Sequence, residues 1–135
     1  MYLQLLNHLG ELNRIATAIG QLGEDWKIPP NVLQEVNLAL EELFTNIIFY
    51  AYDDDEKHKI EILFENPEPG CIRISLSDDG KAFNPLEQSS DDNLSKPLEE
   101  RQIGGLGIHL VKQLMNHIDY RRKDGKNVVL LIRNF

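Results

Sequence analysis

An α+β fold is what the pattern of residues predicts, and three observations carry it. A long amphipathic stripe runs through residues 31–52, two alternating apolar stretches follow at 59–65 and 71–77, and a glycine-opened helical pattern then leads into a last pair of strands. Helical stripes and half-apolar strands hide their apolar sides by packing on one another, which is helix-on-sheet architecture.

Taken in order, Tyr2 to Leu6 reads as a short edge strand. Leu9, Leu12, Ile15, Ala16, Ile19 and Leu22 then recur at helical spacing, with Asn7 as the cap and Gly10, Gly20 and Gly23 blurring the ends. Trp26 and Ile28 lead into the break at Pro29-Pro30. Asn31 caps the central helix with Gln34 three residues on, so that helix is expected to begin near Val32. Leu33, Val36, Leu40, Leu43, Phe44, Ile47 and Ala51 draw one apolar stripe toward the core. Glu42 and Asn46 stack one turn apart on the opposite side, an acid and an amide facing the same way. Leu38 and Phe49 share that side, so the spacing predicts a cover other than water alone.

The connector DDDEKHK carries acids that resemble a metal site but also two lysines, and reads as a solvated loop. Lys59 to Glu65 places Ile60, Ile62 and Phe64 on one face, and Cys71 to Ser77 does the same with Ile72, Ile74 and Leu76. Residues 66–70 join them as a hairpin. After Asp78-Asp79-Gly80 and Phe83, regular pattern stops for about twenty residues, the length of a functional lid or a disordered segment. Ile103-Gly-Gly-Leu-Gly107 then opens a helix through Ile108, Leu110, Val111, Leu114 and Met115. Ile118 to Arg122 and Val128 to Arg133 form a closing hairpin about Asp124-Gly125.

A chain of 135 residues is expected to be one domain, residues 1–135, long enough to bury about two thirds of its unfolded surface. Hydrophobic residues at 41% and charged ones at 27% place it among globular proteins. No apolar run reaches the roughly 18 residues of a spanning helix, the N-terminus lacks the marks of a secretion signal, and the single Cys71 excludes an internal disulfide. A cytoplasmic setting with no membrane contact is expected. A net charge of -8 without a basic patch argues against nucleic acid as a partner. It also means that a polyanion binds only where backbone N–H groups, a metal ion and a few cations outweigh the field locally.

Three features could meet in one site: the acid-amide pair, an Asp-x-Gly at a strand end, and glycines at a helix start, where unsatisfied N–H groups and the helix dipole favour phosphate. The glycines match neither a P-loop nor G-x-G-x-x-G, since Leu110 stands where the last Gly would be. Glu42-Leu-Phe-Thr-Asn46, Asp78-Asp-Gly-Lys-Ala-Phe83-Asn-Pro85 and Gly104-Gly-Leu-Gly107-Ile-His-Leu-Val-Lys-Gln-Leu-Met115 resemble, in order and spacing, the N, G1 and G2 boxes of the Bergerat-fold (GHKL) ATPases. Tyr50-Ala-Tyr52 and Phe83-Asn-Pro85 are most similar to the small serine kinases that act as anti-sigma factors. The resemblance covers roughly residues 8–133.

That resemblance implies a two-layer α+β sandwich, with a mixed, mostly antiparallel sheet and helices on one face. It implies ATP and Mg²⁺ as cofactors, with Asn46 on the metal and Glu42 as the general base for a serine hydroxyl. Asp78 would accept from the adenine amino group, with Gly80 and Phe83 beside the base. Gly104, Gly105, Leu106 and Gly107 would hold the phosphates under a lid of about residues 84–103, and Arg101 or Lys96 would reach the γ-phosphate. An anti-sigma antagonist and a sigma factor are the implied partners, and a homodimer the implied state.

The chain departs from the family pattern at three points. Tyr50 replaces a frequent histidine, Ala82 a frequent glycine of the second box, and Ile103 the first glycine of the third. His109 and His117 read as surface or packing residues. A nucleotide-gated binding module without phosphoryl transfer is the alternative reading. The catalytic fragment of a sensor histidine kinase is disfavoured, because about 30 residues before the central helix leave no room for a phosphoacceptor hairpin.

Overall fold

The computed structural model describes residues 1–87 and 105–135, with only the backbone of Gly105 and Leu106. Five strands, β1 (Tyr2–Leu6), β2 (Lys59–Glu65), β3 (Cys71–Asp78), β4 (His117–Lys123) and β5 (Lys126–Asn134), form one sheet in the order β1-β2-β3-β5-β4. Every pairing is antiparallel, so the parallel component implied for a mixed sheet is not found among the described residues. Three helices, α1 (Leu12–Asp25), α2 (Pro30–Tyr50) and α3 (Gly105–Leu114), make the second layer.

Alternation in the strands explains the layering. Ile60, Ile62 and Phe64 of β2, Ile72, Ile74 and Leu76 of β3, and Val129 and Leu131 of β5 are all buried under the helices. Beneath them sit Leu40, Leu43, Phe44 and Ile47 of α2, each worth about 1.5–3 kcal/mol of transfer free energy. The hairpin of β4 and β5 turns at Asp124 (φ 52°) and Gly125 (φ 76°), the paired left-handed residues of a type I′ turn, whose twist matches the strands.

Helix ends depart from the sequence expectations. Pro30 occupies the first helical position of α2, where its missing N–H is no loss and its fixed φ suits the helix, so Asn31 lies inside the first turn rather than capping it. Asn7 caps nothing. His8 caps a short 3-10 turn at Leu9–Glu11 through Nδ1, while Asn7 ties the 53–58 connector to β1 by accepting from His58 N–H (2.9 Å) and donating to Glu56 O (3.2 Å). At the far end of α1, Lys27 takes the left-handed conformation (φ 56°) and Ile28 N–H donates back to Gly23 O at 3.0 Å. This is a Schellman closure without the usual glycine, fastened by the buried Ile28. Ala18, not Ala16, completes the buried side of α1.

Helix α2 packs against both α1 and α3, which widens its buried arc beyond one stripe. Asn46, placed by its spacing opposite the stripe, is therefore fully buried. The cover does not extend to Leu38 and Phe49, which are 42% and 45% exposed. Arg133 of β5 ties the sheet to two helices of the second layer, pairing with Glu35 of α2 and donating to Leu114 O of α3 at 2.7 Å.

Candidate nucleotide site

Period-two alternation in β3 continues past Leu76 to Asp78, so the strand delivers a carboxylate, 3% exposed, into the interior. Its Oδ1 accepts from Gly80 N–H (2.9 Å) and from Asn127 Nδ2 (2.9 Å). Burial pushes this carboxyl above its ordinary range, and the Asn127 and Gly80 donors oppose the rise. The turn that follows is pressed onto the end of α2. Lys81 N–H donates to Ala51 O at 2.9 Å, and a Cβ on Gly80 would lie 2.4 Å from that oxygen. The close approach of Gly80 is thus to the Ala51 backbone. Gly80→Ala must displace main chain on one side, and is expected to cost about 1–3 kcal/mol, read as a fall in the urea midpoint. An unchanged midpoint would show that the turn can yield.

Asn127 escaped the sequence reading. Its signal was there: it shares the inward parity of Val129 and Leu131 on β5 and stands directly opposite Asp78. Its amide also donates to Lys81 O (2.8 Å) and accepts from Phe83 N–H (3.1 Å) and Tyr120 O–H (2.5 Å), so it shapes the whole 78–83 turn. Phe83 leans on Tyr50 with ring centroids 5.6 Å apart. Arg122 adds a 2.7 Å bond to Gly80 O.

The connector 53–58 is better fastened than a solvated loop. His58 stacks on Tyr52 at 4.0 Å and contacts Asp54 at 2.7 Å, while Tyr52 O–H donates to Asp79 at 2.9 Å and Lys81 pairs with Asp53 at 2.8 Å. Asp54 raises the His58 pKa, so the histidine holds its proton above its ordinary range. Together these contacts clamp the turn after β3 to the end of α2.

Glu42 and Asn46 lie where α3 packs on α2. Both polar atoms of Asn46 and Oε1 of Glu42 are buried with no hydrogen-bond partner among the described residues. Such orphaned groups are costly in a folded protein, and an amide beside a carboxyl suits a polar ligand. Burial raises the Glu42 carboxyl above its ordinary range; the nearby Asn46 amide, without hydrogen-bond geometry, opposes this. A Cβ on Gly107 would fall 2.2 Å from Glu42 Cδ, so this glycine lets the first turn of α3 close over the acid.

Glu42, Asn46 and Gly107 are thus brought together, with Asp78, Gly80 and Phe83 gathered at the end of β3. Gly105 opens α3 as expected. Gly104, Ile103, Arg101, Lys96 and the lid from residue 88 onward lie outside the described residues. Of the lid's start, Pro85–Glu87 forms a 3-10 turn, and Leu86 O accepts from Lys112 of α3 at 2.8 Å. His109 and His117 are exposed, as expected.

The fold is a two-layer α+β domain that buries Asn46 on α2 in one place and Asp78 and Asn127 at the end of β3 and the start of β5 in another. A family model described as the histidine kinase-like ATPase domain matches residues 4–133, and the chain belongs to that family, with a GHKL ATPase fold. Serine-protein kinase RsbW of Bacillus thuringiensis and of Bacillus anthracis are each 30% identical over 101 residues, 73% of this chain. The match spans 62% of the length of those relatives. Among solved structures, the histidine kinase domain of the Erythrobacter litoralis EL346 blue-light activated histidine kinase covers 93% of this chain and 60% of its own, at TM-score 0.58 and 18% identity. The longer structure of that kinase gives TM-score 0.60 at 17% identity, covering 93% of this chain and 41% of its own. These two likenesses concern the fold alone. Among the described residues, no helix is long and apolar enough to cross a membrane.

Proposed function

We propose that residues 1–135 form one kinase domain of the anti-sigma type, which transfers the γ-phosphoryl group of Mg-ATP to a serine or threonine of a small antagonist protein and regulates a sigma factor. The observation that carries this reading is the orphaned pair: Asn46, with both amide atoms buried and without a partner among the described residues, one turn from the half-buried acid Glu42. Those groups fit a hydrated magnesium ion, which takes oxygen ligands and would satisfy the Asn46 Oδ1. Mg-ATP, when bound, supplies the phosphoryl group and offsets the charge that an acidic protein cannot.

The chain's own residues then have distinct tasks. Asp78 accepts from the adenine amino group, with Gly80 and Phe83 shaping the turn beside the base. Backbone N–H groups at Gly104, Gly105, Leu106 and Gly107 meet the phosphates at the positive end of α3. Glu42 takes the proton of the attacking hydroxyl, and its raised pKa makes it a stronger base than an ordinary carboxylate. The similarity to the Bacillus serine-protein kinases supports a serine as acceptor. Homodimer formation and a cytoplasmic setting belong to the same proposal.

The deciding experiment is transfer of γ-labelled phosphate from Mg-ATP to proteins of a lysate from the source organism. One small, acid-stable labelled band is the expected result. ATP binding without any labelled protein would overturn the kinase reading in favour of a nucleotide-gated binding module.

A further inference from the structure

An asparagine amide offers two N–H donors and an oxygen that accepts twice. Asn127 uses all four: Nδ2 donates to Asp78 Oδ1 and Lys81 O, and Oδ1 accepts from Phe83 N–H and Tyr120 O–H. The amide therefore has nothing left for a ligand. Its orientation is set by the backbone donor of Phe83, with the Tyr120 hydroxyl added. A flipped amide would turn its oxygen on the Asp78 carboxylate and its N–H groups on the Phe83 N–H. Meanwhile Asp78 Oδ1 is taken twice, by Gly80 and Asn127, which leaves Oδ2 without a donor among the described residues.

We propose that Asn127, held by Tyr120, is a positioning residue that acts through Asp78, presenting Oδ2 as an acceptor and thereby setting the preference for an amino over a keto group on the bound purine. This inference rests on the reading in which Asp78 meets the base. An ionised carboxylate accepts from an exocyclic amino group and repels a carbonyl, whereas a protonated carboxyl carries an O–H that a carbonyl accepts. Base choice then follows the protonation state of Asp78.

The groups that govern that state surround it. Asp79 adjoins it, Tyr52 faces it from the end of α2, and Arg122 from β4. Lys59 and Glu61 of β2, with Lys126 of β5, line a small cavity beside it. Burial, with Asp79, pushes the carboxyl upward; Asn127, the Gly80 N–H and Arg122 hold it down. Deleting the Asn127 amide removes a downward influence. Asp78 then protonates at a higher pH, and the acceptor is lost over a range where the native chain keeps it.

The test is calorimetric titration of the full chain with Mg-ATP and with Mg-inosine triphosphate, over about pH 5.5 to 8, for the native protein, Asn127→Ala and Tyr120→Phe. In Asn127→Ala the acid-side loss of ATP affinity is expected to begin at a higher pH than in the native chain, and the ATP-to-inosine preference on that acid side to narrow roughly ten-fold. Tyr120→Phe is expected to shift both the same way by less. A uniform loss of affinity, with profile and preference parallel to native, would mean a merely structural role and overturn the inference. Should circular dichroism show Asn127→Ala unfolded, Tyr120→Phe decides by the same criterion. A native chain that binds neither nucleotide removes the site reading and this inference with it; native binding with unmoved profiles removes the inference alone.

Discussion

Asp78→Asn is expected to abolish ATP binding and leave the fold no less stable than before. The asparagine keeps an oxygen to accept from Gly80 N–H and Asn127, so the 78–83 turn retains its bonds. The other position becomes an NH₂ group, which sets donor against donor where the purine amino group would lie. Losing a hydrogen bond to a charged group and facing an unpaired donor costs about 3–4 kcal/mol, or several hundred-fold in affinity. Stability moves the other way. Asp78 has a folded pKa above its ordinary value, so the folded state binds the extra proton. Stability from this group is fully present below the unfolded pKa and is lost as pH rises through the folded one. At neutral pH the native acid is therefore a cost that the amide relieves. Mg-ATP calorimetry beside a thermal melt checks both halves. Native-like affinity in the variant would remove the adenine assignment, and a sharply lowered melting point would make Asp78 a structural acid instead.

The same balance explains what was legible in the sequence. Strand alternation is local, so Ile72, Ile74 and Leu76 could be assigned to one face, which the strand extends by one step to Asp78, and the turn at Asp124-Gly125 fixed the last hairpin. Asn127 obeyed the same alternation, yet its place opposite Asp78 depends on which strands pair, and β3 pairs with β5 across 49 residues of sequence separation. The burial of Asn46 was hidden for a similar reason. A single-helix period places it opposite the core, and only the arrival of α3 on a second side of α2 covers it. Lys27 shows the limit for chain ends: its left-handed turn is imposed by the burial of Ile28 and not by a residue that favours it. Gly80 and Gly107 answer to contacts between elements, since a Cβ would meet Ala51 O at the first and the Glu42 carboxyl at the second, and no local pattern shows either.

Glu42→Gln is expected to leave ATP affinity within a few-fold of native and to lower phosphoryl transfer by about 10²–10⁴-fold, the usual worth of a positioned base. The change preserves shape and neutralises a half-buried acid whose Oε1 has no partner among the described residues, so folding is not at stake. Because burial raises the native carboxyl, transfer by the native chain should rise with pH as that acid ionises, and the variant should lack the rise. Gly107→Ala separates position from chemistry. The atoms nearest its Cβ would be the far end of the Glu42 side chain, which can swing away without moving backbone, so the melting point should barely change. The displaced carboxylate would no longer reach the hydroxyl, and transfer should fall although the base is still present. Single-turnover transfer from labelled Mg-ATP to the identified acceptor measures both variants. Full activity in Glu42→Gln would sink the base assignment, and would leave the orphaned Asn46 as a magnesium ligand in a site whose proton acceptor lies elsewhere.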